Sequence, residues 1–245
     1  MKEIGRYFIF LGNLLTNRES FKTHYKLVVD ECILIGIDSI FLFILVSSFM
    51  GAVSTVQTAF NLVAPYIPKY VISQVVREMT VLELAPTVMA IIFAGKVGSS
   101  MAGNLGTMRI TEQIDALEVM GINSINYLVL PKIIASLLMY PMLVVLSGAC
   151  ALLGGYIVGN VTGILSPDEY IYGIRYMFNP FTVTFALIKS FVFAFLVSSI
   201  SSYKGYYTHG GALEVGISST KAVTTSVIAI LLADYLLAQL LLSPA

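Results

Sequence analysis

The sequence predicts an all-α, polytopic integral membrane protein with about five transmembrane helices. Apolar residues make up 57% of the 245 residues and charged residues only 11%, whereas soluble domains carry roughly 25% charged residues. The mean hydropathy is +0.87, and several apolar segments reach the roughly 20 residues that cross a bilayer. No room is left for a separate soluble domain. We therefore predict a single membrane domain, 1–245, made of an N-terminal region, 1–37, and a five-helix bundle, 38–245.

The N-terminal region mixes apolar and basic side chains. Phe8, Leu11, Leu14 and Leu15 recur at helical spacing, which is typical of an amphipathic helix lying in the membrane interface. A frayed tail is the alternative. The basic residues that surround these positions are Lys2, Arg6, Arg18, Lys22 and Lys26.

Five apolar segments follow in the chain. They lie near 39–62, 79–101, 128–158, 181–201 and 222–242. The third is long enough to be tilted, or kinked at Pro131 or Pro141.

The segments between the spans are more polar. The first contains Pro65, Pro68 and Lys69, and the second is a polar stretch, 102–126. A loop is predicted over 159–180. Glycine and serine residues predict another loop over 201–221.

Basic residues predict the orientation, because they are enriched in cytoplasmic segments. If the N-terminus is cytoplasmic, only Lys69, Arg77 and Arg175 fall on the opposite side. Five spans then place the C-terminus outside. The residues on the cytoplasmic side are Lys2, Arg6, Arg18, Lys22, Lys26, Lys96, Arg109, Lys132, Lys204 and Lys221.

No enzymatic motif is complete. The run AGKVGSS approaches a phosphate-binding loop, but that loop needs Gly at position 90 and Ser or Thr at 97, where the chain has Ala90 and Val97. We therefore expect a non-catalytic chain without a cofactor. Its 14 basic and 14 acidic residues give no net charge that would favour nucleic acid, and two histidines make a metal site improbable.

The stretch 106–121 predicts a short amphipathic helix between the second and third spans. An apolar stripe lies on one face, and Gly121 suits a helix C-terminus. Arg109 can pair with Glu112 one turn later. Such a helix could bind another protein, or it could be a solvated interfacial helix without a partner, and both interpretations stay open. The stripe is Ile110, Ile114 and Leu117, and the acidic face is Glu112, Asp115 and Glu118.

Three ionisable residues fall within the spans: Glu83, Lys189 and Asp234. A charge at mid-bilayer costs roughly 2.5–3.5 kcal/mol on the insertion scale, so such groups normally face the bundle interior and pair. The three residues are expected to meet, either as a structural clamp or as a conformational switch on a transport path.

The stretch ELAPTVMAIIFAGKVGSSMAGNLGTMRITEQIDALEVMGI resembles the signature of the MlaE family of ABC-transporter permeases, and the resemblance covers about residues 30–243. The family pattern continues at Pro131, at LIKSFVFA around Lys189, and at Asp234. Lys96 stands where the family usually has Arg, and Asn104 where it often has Glu.

The resemblance implies a homodimeric permease that moves phospholipid across a bacterial envelope, in the inner membrane. It implies two partners, a cytoplasmic ABC ATPase that binds ATP and Mg²⁺ and an MCE-domain lipid-binding protein. The helix 107–121 would then be the ATPase-coupling helix, through Arg109, Glu112, Gln113, Asp115, Leu117 and Glu118. In the first span, Met50, Ser54 and Gln57 would help line a lipid cavity.

Two alternatives remain beside the ATP-driven permease. An ion-coupled secondary transporter would use Glu83, Lys189 and Asp234 as a relay, although the chain lacks the internal repeat common in such proteins. A non-transporting membrane scaffold would use the same three residues for stability alone.

Overall fold

The computed structural model describes residues 2–14, 21–62 and 68–242, and in these ranges the regular structure is helical. Leu15, Arg18 and Pro65 lie outside the described residues. Three π-helical turns, Ile33–Ile37, Thr80–Val88 and Ala94–Gly98, join α-helices without a break in the chain's helical path. The α-helices are α1 Lys2–Asn13, α2 Phe21–Cys32, α3 Asp38–Asn61, α4 Tyr70–Met79, α5 Met89–Phe93, α6 Ser99–Ile110, α7 Gln113–Val119, α8 Ser124–Val161, α9 Pro167–Arg175, α10 Pro180–Tyr206 and α11 Ala212–Leu242.

Five helical runs of the described chain are long and apolar enough to cross a membrane, which confirms the predicted fold class. They are His24–Asn61, Tyr70–Ile110, Ser124–Val161, Pro180–Tyr206 and Ala212–Leu241. Each extends beyond the predicted apolar segment at one end or both, because the helical path continues into more polar residues that a hydropathy pattern does not mark. The second run has 41 residues, which at 1.5 Å per residue is about 60 Å, longer than the bilayer core.

The N-terminal region differs from the single interfacial helix expected over 1–37. It contains α1 and then α2, which continues through the π-helical turn Ile33–Ile37 into α3. The helical path therefore continues through residue 38, where α3 follows the π-helical turn. Because polar residues such as Asp30 and Glu31 interrupt the apolar pattern, hydropathy placed the start of the span too late.

The chain forms two compact units. Unit 1 comprises Met1–Asp38, Ala90–Tyr140 and Phe191–Ala245, and unit 2 comprises Ser39–Met89 and Pro141–Ser190. Helices α8 and α10 contribute residues to both.

In unit 1, α1 packs on the protein through one face. Phe10 is fully buried with Leu105, Ile114 and Tyr203, and the Tyr7 hydroxyl lies 2.7 Å from Ser199 Oγ. Burial raises the pKa of Tyr7. The helix is amphipathic, as predicted, and part of its apolar face packs against the protein.

Helices α6 and α11 of unit 1 pack closely because glycines face the neighbouring helix. A Cβ on Gly106 would come 3.2 Å from Val215. A Cβ on Gly205 of α10 would come 2.6 Å from the Ala102 carbonyl oxygen. These contacts explain why much of the stretch 201–221 is helical and not the predicted loop. The break covers only the residues between α10 and α11, where Gly210 has φ 116°.

In unit 2, α3 and α8 approach through small residues. A Cβ on Gly51 would collide with the Ala151 carbonyl oxygen, and one on Gly154 with that of Ser48. Beside them, α4 packs on α9, and the buried Tyr170 donates a hydrogen bond of 2.9 Å to the Leu152 carbonyl. Burial raises the pKa of Tyr170 to about 12.

Helix α9 occupies much of the segment predicted as a loop over 159–180. Its start is a capping box, in which Ser166 Oγ accepts from the Glu169 N–H and the Glu169 carboxylate accepts from the Ser166 N–H. Pro167 at the first helical position favours the same start. The motif S-P-D-E marks this start in the sequence, but a helix of 9 residues is too short to stand out in a hydropathy pattern of membrane spans.

Candidate functional site

Lys189 and Glu83 form an ion pair in unit 2. The Lys189 ammonium is fully buried and lies 2.8 Å from Glu83 Oε1, whereas the Glu83 side chain is 49% exposed. Thr87 Oγ1 donates to the other carboxylate oxygen at 3.1 Å, and the Phe185 ring lies 4.8 Å from Lys189 Nζ. The buried charge is therefore partnered, as a charge within a span has to be.

A backbone carbonyl is a further partner of the Lys189 ammonium. Lys189 Nζ donates to the Leu82 carbonyl at 3.0 Å. In a regular α-helix that carbonyl accepts from residue 86, but residue 86 is proline and has no N–H. The π-helical turn Thr80–Val88 surrounds this point, and such turns occur frequently at functional sites. The sequence carried this signal in Pro86, four residues after Leu82, and sequence reasoning missed Leu82 and Thr87.

Asp234, the third predicted member, lies half-buried on α11, which belongs to unit 1. Glu83 and Lys189 belong to unit 2. That Asp234 acts together with them stays a prediction.

The predicted helix 107–121 is two helices instead of one. Arg109 ends α6, the chain turns at Thr111 and Glu112, and α7 begins at Gln113. Glu112 has φ 59°, a left-handed conformation that no α-helix continues through. The continuous stripe and the Arg109–Glu112 pair are therefore wrong. Arg109 instead pairs with Asp115, at 2.7 Å.

Helix α7 is fixed within unit 1 by a buried apolar side chain and by hydrogen bonds to Glu118, in addition to the Arg109–Asp115 ion pair. Ile114 is fully buried in the cluster that contains Phe10 and Leu105. Glu118 Oε1 accepts hydrogen bonds of 2.9 Å from both Ser124 Oγ and the Tyr206 hydroxyl, and those two hydroxyl oxygens are 2.8 Å apart. The Arg109 guanidinium lies over the Tyr206 ring at 5.8 Å. The sequence did not predict Ser124 and Tyr206 as partners of Glu118. They lie 6 and 88 residues from Glu118, and no local pattern of residue types indicates either contact.

The opposite face of α7 is open. Gln113 and Asp115 are exposed, as is Glu112 just before the helix, whereas Leu117 is half-buried. Val119 is 89% exposed and Met120 65%. The surface formed by residues 112, 113, 115, 119 and 120, which we call the α7 face, combines acidic and apolar groups.

The three predicted cavity residues lie along α3. Ser54 is buried, Met50 is half-buried and Gln57 is exposed. Unit 2 has an apolar cavity of about 260 Å³ whose described lining comes from other elements, among them α4, the turn Thr80–Val88, α8 and α10. A role of Met50, Ser54 and Gln57 in lipid binding stays a prediction.

Lys96, one of the two residues that depart from the family pattern, lies in the π-helical turn Ala94–Gly98 of unit 1 and donates to the Asp38 carbonyl. Lys132 is buried nearby and pairs with Glu31. These residues share a small polar pocket of about 140 Å³ with Ser100 and Asn104. The buried Lys132 of unit 1 is therefore partnered, as Lys189 of unit 2 is.

Comparison with known proteins places these features in a family. The family model described as "Permease MlaE" matches residues 28–240. A probable ABC transporter permease protein of Rickettsia bellii is 34% identical over 239 residues, which are 98% of this chain and 92% of that protein. A probable ABC transporter permease protein of Synechocystis is 32% identical over 234 residues, 96% of this chain and 89% of that protein.

A plant protein is also similar. The chloroplast protein trigalactosyldiacylglycerol 1 of Arabidopsis thaliana is 30% identical over 231 residues, which are 94% of this chain and 66% of the plant protein. The family match and these relatives together cover nearly the whole helical bundle. The chain therefore belongs to the MlaE family of ABC-transporter permeases.

Proposed function

We propose that this chain is the non-catalytic membrane subunit of an ATP-driven phospholipid transporter, in which a separate ABC ATPase docks on the α7 face. The observation that carries the proposal is the anchoring of α7. A helix of seven residues has little stability of its own, yet Ile114 and Glu118 fix it to unit 1 while its acidic side chains stay exposed. A rigid, exposed helix next to the spans suits transmission of force.

Lipid as the transported molecule has two further supports. The Arabidopsis relative carries the name of a galactolipid. The cavity of unit 2 is lined mainly by aliphatic side chains, which suit acyl chains and not a polar solute. ATP and Mg²⁺ would bind to the partner ATPase, because the motif around Lys96 lacks the glycine and hydroxyl residue of a phosphate-binding loop.

The assembly that we propose has further members. A second copy of the chain completes the membrane part, and an MCE-domain protein exchanges lipid at the outer face. The complex lies in the bacterial inner membrane with the N-terminus cytoplasmic and the C-terminus periplasmic. The excess of basic residues on the proposed cytoplasmic side supports this orientation.

The α7 face is tested by charge reversal. Glu112→Lys with Asp115→Lys should prevent co-purification of the proposed partner ATPase and abolish lipid-stimulated ATP hydrolysis. The matched control is Asp30→Lys with Asp168→Lys, which makes the same charge change at two exposed acids of other helices. Intact assembly and hydrolysis in the α7 variant would contradict the docking role.

The second candidate is an ion-coupled transporter, favoured by the Glu83–Lys189 pair within two spanning runs. It requires the chain alone in liposomes to move lipid or solute under a pH gradient without ATP. We expect no transport under those conditions.

A further inference from the structure

The described lining of the cavity in unit 2 has one cationic side chain among apolar residues. Val81, Val145, Ile174 and Leu187 belong to its lining, and the charged member is Arg77. Arg77 is 4% exposed, and its guanidinium lies 5.6 Å from the Phe178 ring, which also borders the cavity. An apolar space with a single buried guanidinium matches a molecule that is apolar along its length and anionic at one end.

The Arg77 guanidinium has N–H donors that are not occupied by described acceptors. Its Nη1 donates to the carbonyls of Ile174 and Tyr176 at 2.7 and 2.9 Å, and its Nη2 to Glu78 at 3.0 Å. Described acceptors thus take three of the five guanidinium N–H groups, which leaves two. Guanidinium groups bind carboxylate and phosphate oxygens through their N–H donors.

The size of the cavity limits the occupant. Its volume of about 260 Å³ falls below the roughly 300–1,000 Å³ of pockets that enclose drug-sized ligands. One acyl chain fits such a space better than a whole two-chain lipid does.

We propose that this cavity binds a single acyl chain that ends in an anionic group, and that Arg77 recognises the anion. The proposal rests on the proposed lipid transport and gives it a binding site within one copy of the chain, away from Met50, Ser54 and Gln57. The anion is the carboxylate of a free fatty acid or the phosphate of a phospholipid whose one chain enters the cavity.

Photolabelling distinguishes these sources. The full-length chain in phosphatidylcholine nanodiscs, without ATP or partners and at mildly alkaline pH, is exposed to diazirine-bearing palmitate, lysophosphatidylglycerol or uncharged monoacylglycerol. Labelling of peptides from 144–152 and 178–187 is compared with that of the exposed face of α3, which includes Phe41, Phe49 and Phe60. We expect at least one anionic probe to label the cavity about tenfold more than the uncharged one, the ratio that a charge-assisted hydrogen bond gives.

Variants then test Arg77 itself. Arg77→Gln should remove the excess labelling by the anionic probe and leave the uncharged probe unchanged. Glu78→Gln should increase anionic labelling, because it removes the carboxylate that competes for the guanidinium. Ala149→Leu should lower labelling by every probe, because Ala149 borders the cavity from an exposed position. Ala238→Leu on α11 is the matched control.

Equal labelling by charged and uncharged probes, unaffected by Arg77→Gln, would mean adventitious bilayer lipid only and would overturn the proposal. If Arg77→Gln aggregates because Arg77 also holds the end of α9, Glu78→Gln decides: unchanged anionic labelling contradicts anion recognition. Since no ATPase is present, these outcomes are separate from a failure of ATP-driven transport.

Discussion

At the residue scale, the molecule places a fully buried lysine in a spanning helix and gives it several partners. Lys189 contacts the Glu83 carboxylate, the Leu82 carbonyl and the Phe185 ring. The sequence predicted the carboxylate partner because both residues are rare charges in apolar runs. The carbonyl partner depends on the backbone around Pro86, which a pattern of residue types does not describe.

This pair should show energetic coupling. Lys189→Ala should lower the melting temperature because it leaves the Glu83 carboxylate without its cation, and Glu83→Gln should recover part of that loss. The four proteins of the double-mutant cycle should give a coupling energy of roughly 0.5–3 kcal/mol, measured by thermal unfolding in detergent. Strictly additive effects would contradict direct coupling.

Glu169 gives a second residue-scale prediction, through pH. Hydrogen bonds from the Ser166 backbone and side chain lower the pKa of Glu169. The carboxylate therefore stabilises the folded state above its unfolded pKa of about 4.3, and this contribution is lost as pH falls through the lower, folded value. Glu169→Gln keeps a capping amide but no charge, so the wild type should melt at a higher temperature at neutral pH, and the difference should vanish in acid. A difference that does not change with pH would contradict the charged cap.

At the element scale, hydropathy found the five spanning runs but not their ends. The predicted loop at 201–221 is largely helical because Gly205 packs against Ala102 and α11 packs on α6. Glycine and serine lower intrinsic helix propensity, but close packing of small residues overrides it. The break before α7 was missed for a different reason, since it depends on the left-handed conformation of Glu112, a residue type that rarely adopts it.

Glycines on α8 and α11 test the role of close packing. Gly154→Ala should destabilise the protein, because its Cβ would collide with the Ser48 carbonyl. The matched control is Gly216→Ala on α11, where no heavy atom lies within 4 Å of the added Cβ. The control should be neutral or stabilise by about 0.5–1 kcal/mol, the propensity difference in a helix. Melting temperatures in detergent measure both, and equal effects would show that packing of α8 on α3 does not require glycine at 154.

At the scale of the whole molecule, an all-helical membrane bundle of the MlaE permease family joins an anchored, exposed helix to apolar spans. Composition predicted the helical bundle, and one long motif predicted the family. The sequence did not predict the network of Glu118, Ser124 and Tyr206, because Tyr206 lies far from Glu118 in the chain. The same network links α7 to α8 and α10 by hydrogen bonds, which is the connection that the proposed function requires.

The most direct measurement is ATP-dependent transfer of fluorescent phospholipid in liposomes that contain this chain and the proposed partner ATPase. We predict transfer with ATP, none from the chain alone under a pH gradient, and none from the Glu112→Lys, Asp115→Lys variant while the Asp30→Lys, Asp168→Lys control remains active. Transfer by the chain alone, or ATP-driven transfer that survives reversal of the α7 charges, would contradict the account.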